Sequence, residues 1–341
     1  FKIADYPKPS KTGLKNLGGT SYLNAVLQLL GQIPEFAEYF LNRKNEFMSE
    51  NSIKERPLSF VTYRLYTHIY PKDMNQTQNQ KYKPDGYLRV LCKFNPMYSN
   101  KKEKNPNDLL IFILNKLHEE LKKANIICDN IEYYGMTTAD NKPTIIEDVL
   151  SWGKVSDQIC SVCNRSKEPN VQFFNTFDLD ISRAHQINAG KKNEISIYDC
   201  LNIYLCEKEK SLFCHNCLKL QQTYIDSKIC SINKNILFLL DRGADNNNEL
   251  AKIKFKIEEE IDLGKYLKKE KTNKKFELYG IISNNSENCY ACDCKSPIDK
   301  KWYRFCNEDV NIKFDDTQML INDISTTNYI STNTSNRMCN N

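Results

Sequence analysis

Histidine is scarce in this chain: 4 residues in 341, against 14 cysteines. Any reaction that needs an imidazole must draw it from His68, His118, His185 or His215. Long apolar runs are missing too. No segment approaches the roughly 18 consecutive apolar residues of a membrane-spanning helix, so no membrane partner is expected. The N-terminal Phe1-Lys2-Ile3-Ala4-Asp5 carries no charged-then-apolar leader and reads as a fragment edge. No fixed-period repeat is present. The net charge is +5, but the basic residues are spread along the chain. That is weak support for a nucleic-acid partner and better support for an acidic protein patch. Without a secretory leader, so much cysteine points to reduced thiols and metal ligands, and to an intracellular setting in cytoplasm or nucleus.

What is present suffices for a buried core: 40% of the residues are hydrophobic and 27% charged. The first 150 residues read as helical. Apolar residues recur at helical spacing from Tyr22 to Phe40, with an interruption near Pro34, and again at Phe60–Tyr70 and Tyr87–Cys92. The strongest pattern is Asn107–Leu121, where Asn107 and Asp108 are natural N-cap residues. After a polar stretch at Asn75–Gln80 and from about Cys160 onward, the pattern turns to short alternating segments. Val171–Leu179, Thr223–Ile232, Ile236–Leu240, Ile253–Ile257, Phe276–Ile282 and Trp302–Phe305 read as strands, with loops at Arg242–Glu249 and Lys268–Lys274. Ser325–Asn341 is Ser/Thr/Asn-rich and reads as disordered. Helices followed by strands within one chain make an α+β fold.

Two C-x2-C knuckles stand out, Cys160-Ser161-Val162-Cys163 and Cys214-His215-Asn216-Cys217. Each tight turn presents two thiolates, and two such turns make the closed four-sulfur cage that structural Zn2+ favours. His215 is a fifth nearby donor. A second group, Cys289, Cys292, Cys294 and Cys306, is less suited to a metal, because on a strand residues 289 and 292 face opposite sides. Buried core thiols are the simpler reading there.

The run Gly13-Leu14-Lys15-Asn16-Leu17-Gly18-Gly19-Thr20-Ser21-Tyr22-Leu23-Asn24-Ala25-Val26-Leu27-Gln28 resembles the first signature box of the USP-type ubiquitin C-terminal hydrolases, GLxNLGNTCYxNAxLQ. These are papain-like cysteine proteases. Asn107-Asp108-Leu109-Leu110-Ile111-Phe112 resembles a reduced second box, QQDAxEFL. Leu237–Arg242, Asp262–Leu267, Phe276–Ile282 and Trp302–Phe305 resemble the later family strands in order, and the knuckles sit where the family carries its zinc-bearing fingers. The resemblance spans about residues 13 to 315. It implies a papain-like USP fold and a single domain over 1–341: a lead-in at 1–12, a helical thumb at 13–150, zinc-bearing β-fingers at 151–235, a β-palm at 236–320 and a disordered tail at 321–341. The family's closing strand, AYxLxY, corresponds to the more polar Thr327-Asn328-Tyr329-Ile330-Ser331.

The resemblance also places the family's chemistry. Ser21 stands at the nucleophile position and Gly19 at the oxyanion-donor position. Cys289, in Asn288-Cys289-Tyr290, stands at the base position, and Cys306 and Asn307 at the orienting position. A hydroxyl nucleophile needs a base, and a thiol does not replace an imidazole near neutrality. A degenerate, inactive USP-like domain is therefore expected, binding ubiquitin, a ubiquitin-like protein or a protein complex. The alternatives are an active thiol deubiquitinase with displaced chemistry at Cys289 or Cys292, and a scaffold subunit of an RNA-processing assembly of the splicing type. Asp108 and the acidic run Glu258-Glu259-Glu260 are candidates for meeting the basic ubiquitin tail, although Glu258–Glu260 also reads as a solvated strand edge and Asp108 as a cap.

Overall fold

The computed structural model describes residues 2–6, 8–71, 81–124, 143–189, 191–192, 194–205, 208–243, 253–268, 274–284 and 289–312, and the backbone of 325–333. The polar stretch at Asn75–Gln80, most of the loops at 242–249 and 268–274, and Asn288 lie outside the described residues. The chain divides into two compact units, one from Phe1–Val149 with Tyr279–Tyr329, the other from Leu150–Leu278 with Ile330–Asn341. The two units thus alternate along the chain.

In the first unit, strand β1 (Gly13–Leu14) leads into helix α1 (Ser21–Gly31), which is buried along its whole length. Helices of that kind are apolar all round or satisfy their polar side chains internally. Here Asn24 Nδ2 donates to Leu14 O and Lys15 O at 3.1 and 3.3 Å, and Gln28 Nε2 donates to Thr12 O at 2.8 Å. The helix stops at Gln32-Ile33 because Pro34 opens α2 (Pro34–Asn42) at its first turn. Short helices α3 (Lys44–Phe47) and α4 (Glu50–Glu55) lead to α5 (Pro57–Ile69). Strand β2 (Lys81–Tyr82) runs parallel to β1, and α6 (Asp85–Phe94), α7 (Pro106–Lys123) and α8 (Ile145–Leu150) follow. Phe36, Phe40, Phe47 and Tyr66 interlock edge-on or tilted at 5.2–6.2 Å between the helices.

Capping corrects one expectation. The N-cap of α7 is Asn105, whose side chain accepts from Asn107 N, with Pro106 at the first helical position; neither Asn107 nor Asp108 caps it. At the far end of α7, the buried Glu120 carboxylate accepts from Leu58 N, Ser59 N and Ser59 Oγ at 3.0, 2.8 and 2.7 Å. It caps α5, a helix start that has no cap of its own in the sequence.

The second unit starts with a four-stranded antiparallel sheet of order β4-β3-β8-β7, from β3 (Trp152–Cys160), β4 (Ser166–Phe174), β7 (Lys208–Cys214) and β8 (Lys219–Ile232). Its base is anchored by Trp152, which stacks on Phe177 at 3.7 Å and 9°. Strand β5 (Phe177–Asp180) pairs parallel with β9 (Asn235–Asp241), whose uninterrupted apolar run is buried on both faces. Between β5 and β7 come α9 (Ile181–Asn188), β6 (Ile195–Ser196) and α10 (Ile197–Tyr204), two helices that the strand pattern did not anticipate. Strand β10 (Phe255–Lys256) pairs with β6.

Strand β11 (Glu260–Asp262) runs antiparallel to the start of β12 (Lys275–Asn284). In the first unit the end of β12 continues antiparallel into β13 (Tyr290–Lys295), β14 (Trp302–Cys306) and β15 (Asp309–Ile312). The polar segment Ser325–Asn333, read from sequence as disordered tail, forms β16 beside β12. Backbone pairing is indifferent to side-chain polarity on a strand, so a polar sequence still closes a sheet.

The acidic run divides three ways. Glu260 pairs with Lys275 at 2.9 Å, and Glu259 O accepts from Leu278 N. Glu258 is half-buried, and burial pushes its carboxyl up to about 7. The folded chain therefore holds this proton between roughly pH 4.5 and 7 while the unfolded chain releases it. Stability is greatest below the unfolded pKa and falls as pH rises through about 7. Glu258→Gln should flatten that loss, which is on the order of 2 kcal/mol after discounting for partial exposure. Urea midpoints at pH 5 and 8 check it, and an unchanged slope in the variant would contradict it.

Candidate active-site cleft and metal centre

The loop before α1 is held by its own side chains. Asn16 Oδ1 accepts from Gly18 N, Thr20 N and Thr20 Oγ1 at 3.0–3.2 Å, and Thr20 Oγ1 accepts from Leu17 N at 2.9 Å. Gly19 has φ +63°, and a Cβ there would lie 2.7 Å from Lys101 O. A side chain at position 19 is excluded unless the Lys101 backbone moves. Gly13 is equally constrained: a Cβ would lie 2.2 Å from Glu308 O. This close approach seats β1 against the turn after β14, where Leu14 N donates to Asn307 O at 2.8 Å.

Ser21 opens α1 and is fully buried. Its Oγ accepts from Tyr290 N at 2.8 Å, so residue 289 is set directly beside it. The Ser21 and Tyr22 amides donate to the two oxygens of Glu103 at 3.0 and 3.1 Å. A carboxylate thus occupies the electropositive start of the helix. Glu103→Ala should lower stability by about 1 kcal/mol, as for other lost helix caps, with a matching shift in denaturant midpoint. An unchanged midpoint would refute the capping role.

Cys289 receives a hydrogen bond from Asn307 Nδ2 at 3.3 Å, and Asn307 Oδ1 accepts from Asn24 Nδ2 at 2.9 Å. Burial, with the neighbouring Cys289 adding to it, pushes the Cys306 thiol up to about 11. Asn307 sits at φ +52°, a left-handed conformation that Asn tolerates. The contacts thus set Cys289 between Ser21 and Asn307, with Cys306 next to Asn307 at the end of β14. Cys292 and Cys294 do not join them: both are buried on β13, their sulfurs 3.1 Å apart. No histidine takes part in these contacts. His68 Nδ1 lies 2.7 Å from Arg64 O with its ring on Tyr82, and His118 Nδ1 lies 2.9 Å from Thr144 Oγ1. Asp108 is exposed in the first turn of α7.

Sequence reasoning missed Glu103, which lies among lysines in Lys101-Lys102-Glu103-Lys104 and belongs to no motif. It also passed over Asn24, whose place inside the first box was the available signal.

The knuckles meet in the second unit. Cys160 ends β3 and Cys214 ends β7, which register against neighbouring parts of β8. Each turn is closed by a left-handed residue directly after its second cysteine, Asn164 at φ +53° and Leu218 at φ +53°. For Leu218 this conformation is costly, and the turn that presents Cys217 imposes it. The ligand atoms of Cys160, Cys163, Cys214 and Cys217 all lie within 4.8 Å of one another. The Cys160–Cys217 and Cys163–Cys214 sulfurs are 4.0 and 3.6 Å apart. A tetrahedron with bonds of ~2.3 Å has edges of about 3.8 Å, so the four sulfurs fit a divalent cation. The Arg165 amide draws the Cys163 thiol down to about 6, favouring the thiolate a metal needs. His215 packs edge-on against Phe213 at 5.3 Å and is not part of the cluster.

Among the described residues no helix is long and apolar enough to cross a membrane. The structure superposes on that of a chain of the Ubp8/Sgf11/Sus1/Sgf73 SAGA DUB module bound to monoubiquitin with a TM-score of 0.73, covering 98% of this chain and 70% of that one at 18% identity. The same module bound to ubiquitin aldehyde matches with a TM-score of 0.73 at 17% identity. In sequence, the chain is 32% identical over 124 residues to ubiquitin carboxyl-terminal hydrolase 12 of Saccharomyces cerevisiae, covering 34% of this chain and 10% of that protein. It is 25% identical over 209 residues to hydrolase 5 of Arabidopsis thaliana, covering 55% of this chain and 21% of that protein. It is 27% identical over 161 residues to human hydrolase 15, covering 45% of this chain and 16% of that protein. These matches thus span 10–21% of the relatives' lengths. The family model described as ubiquitin carboxyl-terminal hydrolase matches residues 12–330. The chain belongs to the USP-type ubiquitin carboxyl-terminal hydrolase family.

Proposed function

We propose that this chain is a catalytically inactive USP-like module that binds ubiquitin, a ubiquitin-like protein or a partner in a protein complex. The observation that carries this reading is the set of groups around Ser21. The hydroxyl is buried and accepts from Tyr290 N, thiols stand where a base and its orienting group would be, and Glu103 occupies the amides at the helix start. A serine attacking an acyl carbon needs a base to remove its proton and free donors for the oxyanion. Loss of triad function costs on the order of 10⁴ to 10⁶ in rate, and loss of an oxyanion donor a further 10² to 10³ or so.

Cys160, Cys163, Cys214 and Cys217 would hold Zn2+ as a structural ion, because four thiolates leave no open position for chemistry. The thumb, fingers and palm at 13–150, 151–235 and 236–320 form the reading frame for partner surfaces. An intracellular location, in cytoplasm or nucleus, accords with reduced thiols and a zinc cluster. Asp108, exposed on α7, stays a candidate contact for a basic tail.

The test pairs a calorimetric ubiquitin titration with a fluorogenic C-terminal ubiquitin substrate and a C-terminal ubiquitin electrophile. Saturable binding with background turnover and no covalent capture is expected. Turnover or capture at Cys289 would overturn the reading in favour of a displaced thiol protease. No ubiquitin binding, with RNA-processing proteins copurifying, would favour a scaffold that has left ubiquitin behind.

A further inference from the structure

We propose that Cys289 and Cys306 are a redox-responsive dithiol, a modification site that a hydroperoxide converts into an intramolecular disulfide. Strand register brings the two together. Cys292 pairs with Phe305 across β13 and β14, so Cys306, the next residue along, faces the start of β13, which Cys289 immediately precedes. The two thiols are close enough to interact electrostatically, and both side chains are partly accessible. Asn307 Nδ2, on the residue that follows Cys306, donates to the Cys289 sulfur at 3.3 Å and so holds that sulfur beside the end of β14. Burial keeps Cys306 protonated, so it serves as the proton-bearing partner rather than the first nucleophile.

The steps balance. Solvent takes the Cys289 proton, and the thiolate attacks one oxygen of the hydroperoxide ROOH. The O–O bond breaks, ROH leaves after protonation, and Cys289 becomes a sulfenic acid. The Cys306 sulfur then attacks the Cys289 sulfur. The S–O bond breaks, and the Cys306 proton leaves with the hydroxyl as water. The two thiols lose two electrons and two protons in all, and ROOH becomes ROH and water.

The same strand carries an internal comparison. Cys292 and Cys294 are only 3.1 Å apart, yet both are fully buried and their thiols are shielded from a polar oxidant. Proximity alone would favour that pair; accessibility to the oxidant favours Cys289 with Cys306. The proposal does not depend on whether ubiquitin binds.

The experiment treats the zinc-loaded protein with graded tert-butyl hydroperoxide at pH 7.4, quenches with iodoacetamide and maps non-reduced tryptic peptides by mass spectrometry. The expected product is a peptide pair lighter by two hydrogens. Fragment ions should place the bond at Cys289 and Cys306, at peroxide levels at least tenfold below those that modify Cys292, Cys294 or the knuckle cysteines. Dithiothreitol should reverse it. In Cys306→Ser the sulfenic acid should persist on Cys289 and be captured by dimedone, and in Cys289→Ser the Cys306 thiol should stay alkylatable. Separate alkylation of both thiols in the oxidised wild-type protein, or a bond placed at Cys292 or Cys294, would overturn the proposal without bearing on ubiquitin binding. Equal oxidation of Cys306 in Cys289→Ser would overturn the order of steps.

Discussion

Cys214→Ser, or removal of the metal with a strong chelator, is expected to unfold the distal half of the β4-β3-β8-β7 sheet while the helical unit stays folded. The sheet has little else to hold its tip. Strand β4 is exposed along almost all its length, and Phe213, Leu220 and Tyr224 present 51%, 66% and 46% of their surface to solvent. Apolar burial is instead concentrated at the base, around Trp152, Phe174 and Phe177. Structural zinc contributes apparent free energies of about 10–16 kcal/mol in small zinc domains, far more than a few exposed cross-strand pairs at about 0.2–1 kcal/mol each. Hydrogen exchange is the direct readout. Amides of Lys208–Cys214 and Lys219–Thr223 should lose at least ~10³ in protection, equivalent to about 4 kcal/mol, whereas α1 and α7 should keep theirs. Undiminished protection in β7 and β8 after both treatments would show that the sheet stands without the cluster. Acid should act like the chelator, because protonating the thiolates releases the ion.

How far the site could be read from the sequence follows from the range over which each feature is determined. The four knuckle cysteines were legible because a C-x2-C turn is local chemistry, and only the meeting of the two turns needed the fold. Ser21, Cys289, Cys306 and Asn307 were legible through the family pattern, which encodes a tertiary arrangement that spacing alone does not. Helix α1 and strands β9, β12 and β14 were legible because their apolar runs match burial. Glu103 and Glu120 were not. Each caps a helix distant from it in sequence, and a carboxylate in a charged loop or at a helix end looks the same whether it meets water or a buried amide. The cap at Asn105 was displaced from expectation because Pro106 takes the first helical position and moves the boundary two residues upstream. Strand β16 was hidden by composition, since neighbours can recruit a polar segment whose own side chains give no strand signal.

If the site at Ser21 is inactive as proposed, three changes should give it chemistry, and the order of gains separates their roles. In Ser21→Cys with Cys289→His, a thiol would stand at the start of α1 and an imidazole at the residue beside it, fixed there by the Tyr290 N to Ser21 Oγ contact of 2.8 Å. Asn307, which already contacts residue 289, would serve as the orienting group. Turning its amide would offer Oδ1 to the imidazole, and Asn24 would keep Leu14 O and Lys15 O as acceptors. This pair of changes should give covalent capture by a C-terminal ubiquitin electrophile, with turnover at least ~10² above the parent as the base recovers its function. Glu103 would still cover the Ser21 and Tyr22 amides and repel a developing oxyanion at the helix start. Adding Glu103→Gln, which removes that charge, should raise turnover by a further factor of about 10². Glu103→Gln alone should leave the parent at background, because an open oxyanion site cannot replace a missing base. Gly19 is best left unchanged: the 2.7 Å approach to Lys101 O makes an asparagine there a cost to the loop before it is a gain to catalysis. Rates with a fluorogenic ubiquitin substrate decide each step. A parent chain as active as the double variant would mean that catalysis runs through a residue other than Ser21, while an inert triple variant would mean that ubiquitin's C-terminus does not reach this helix.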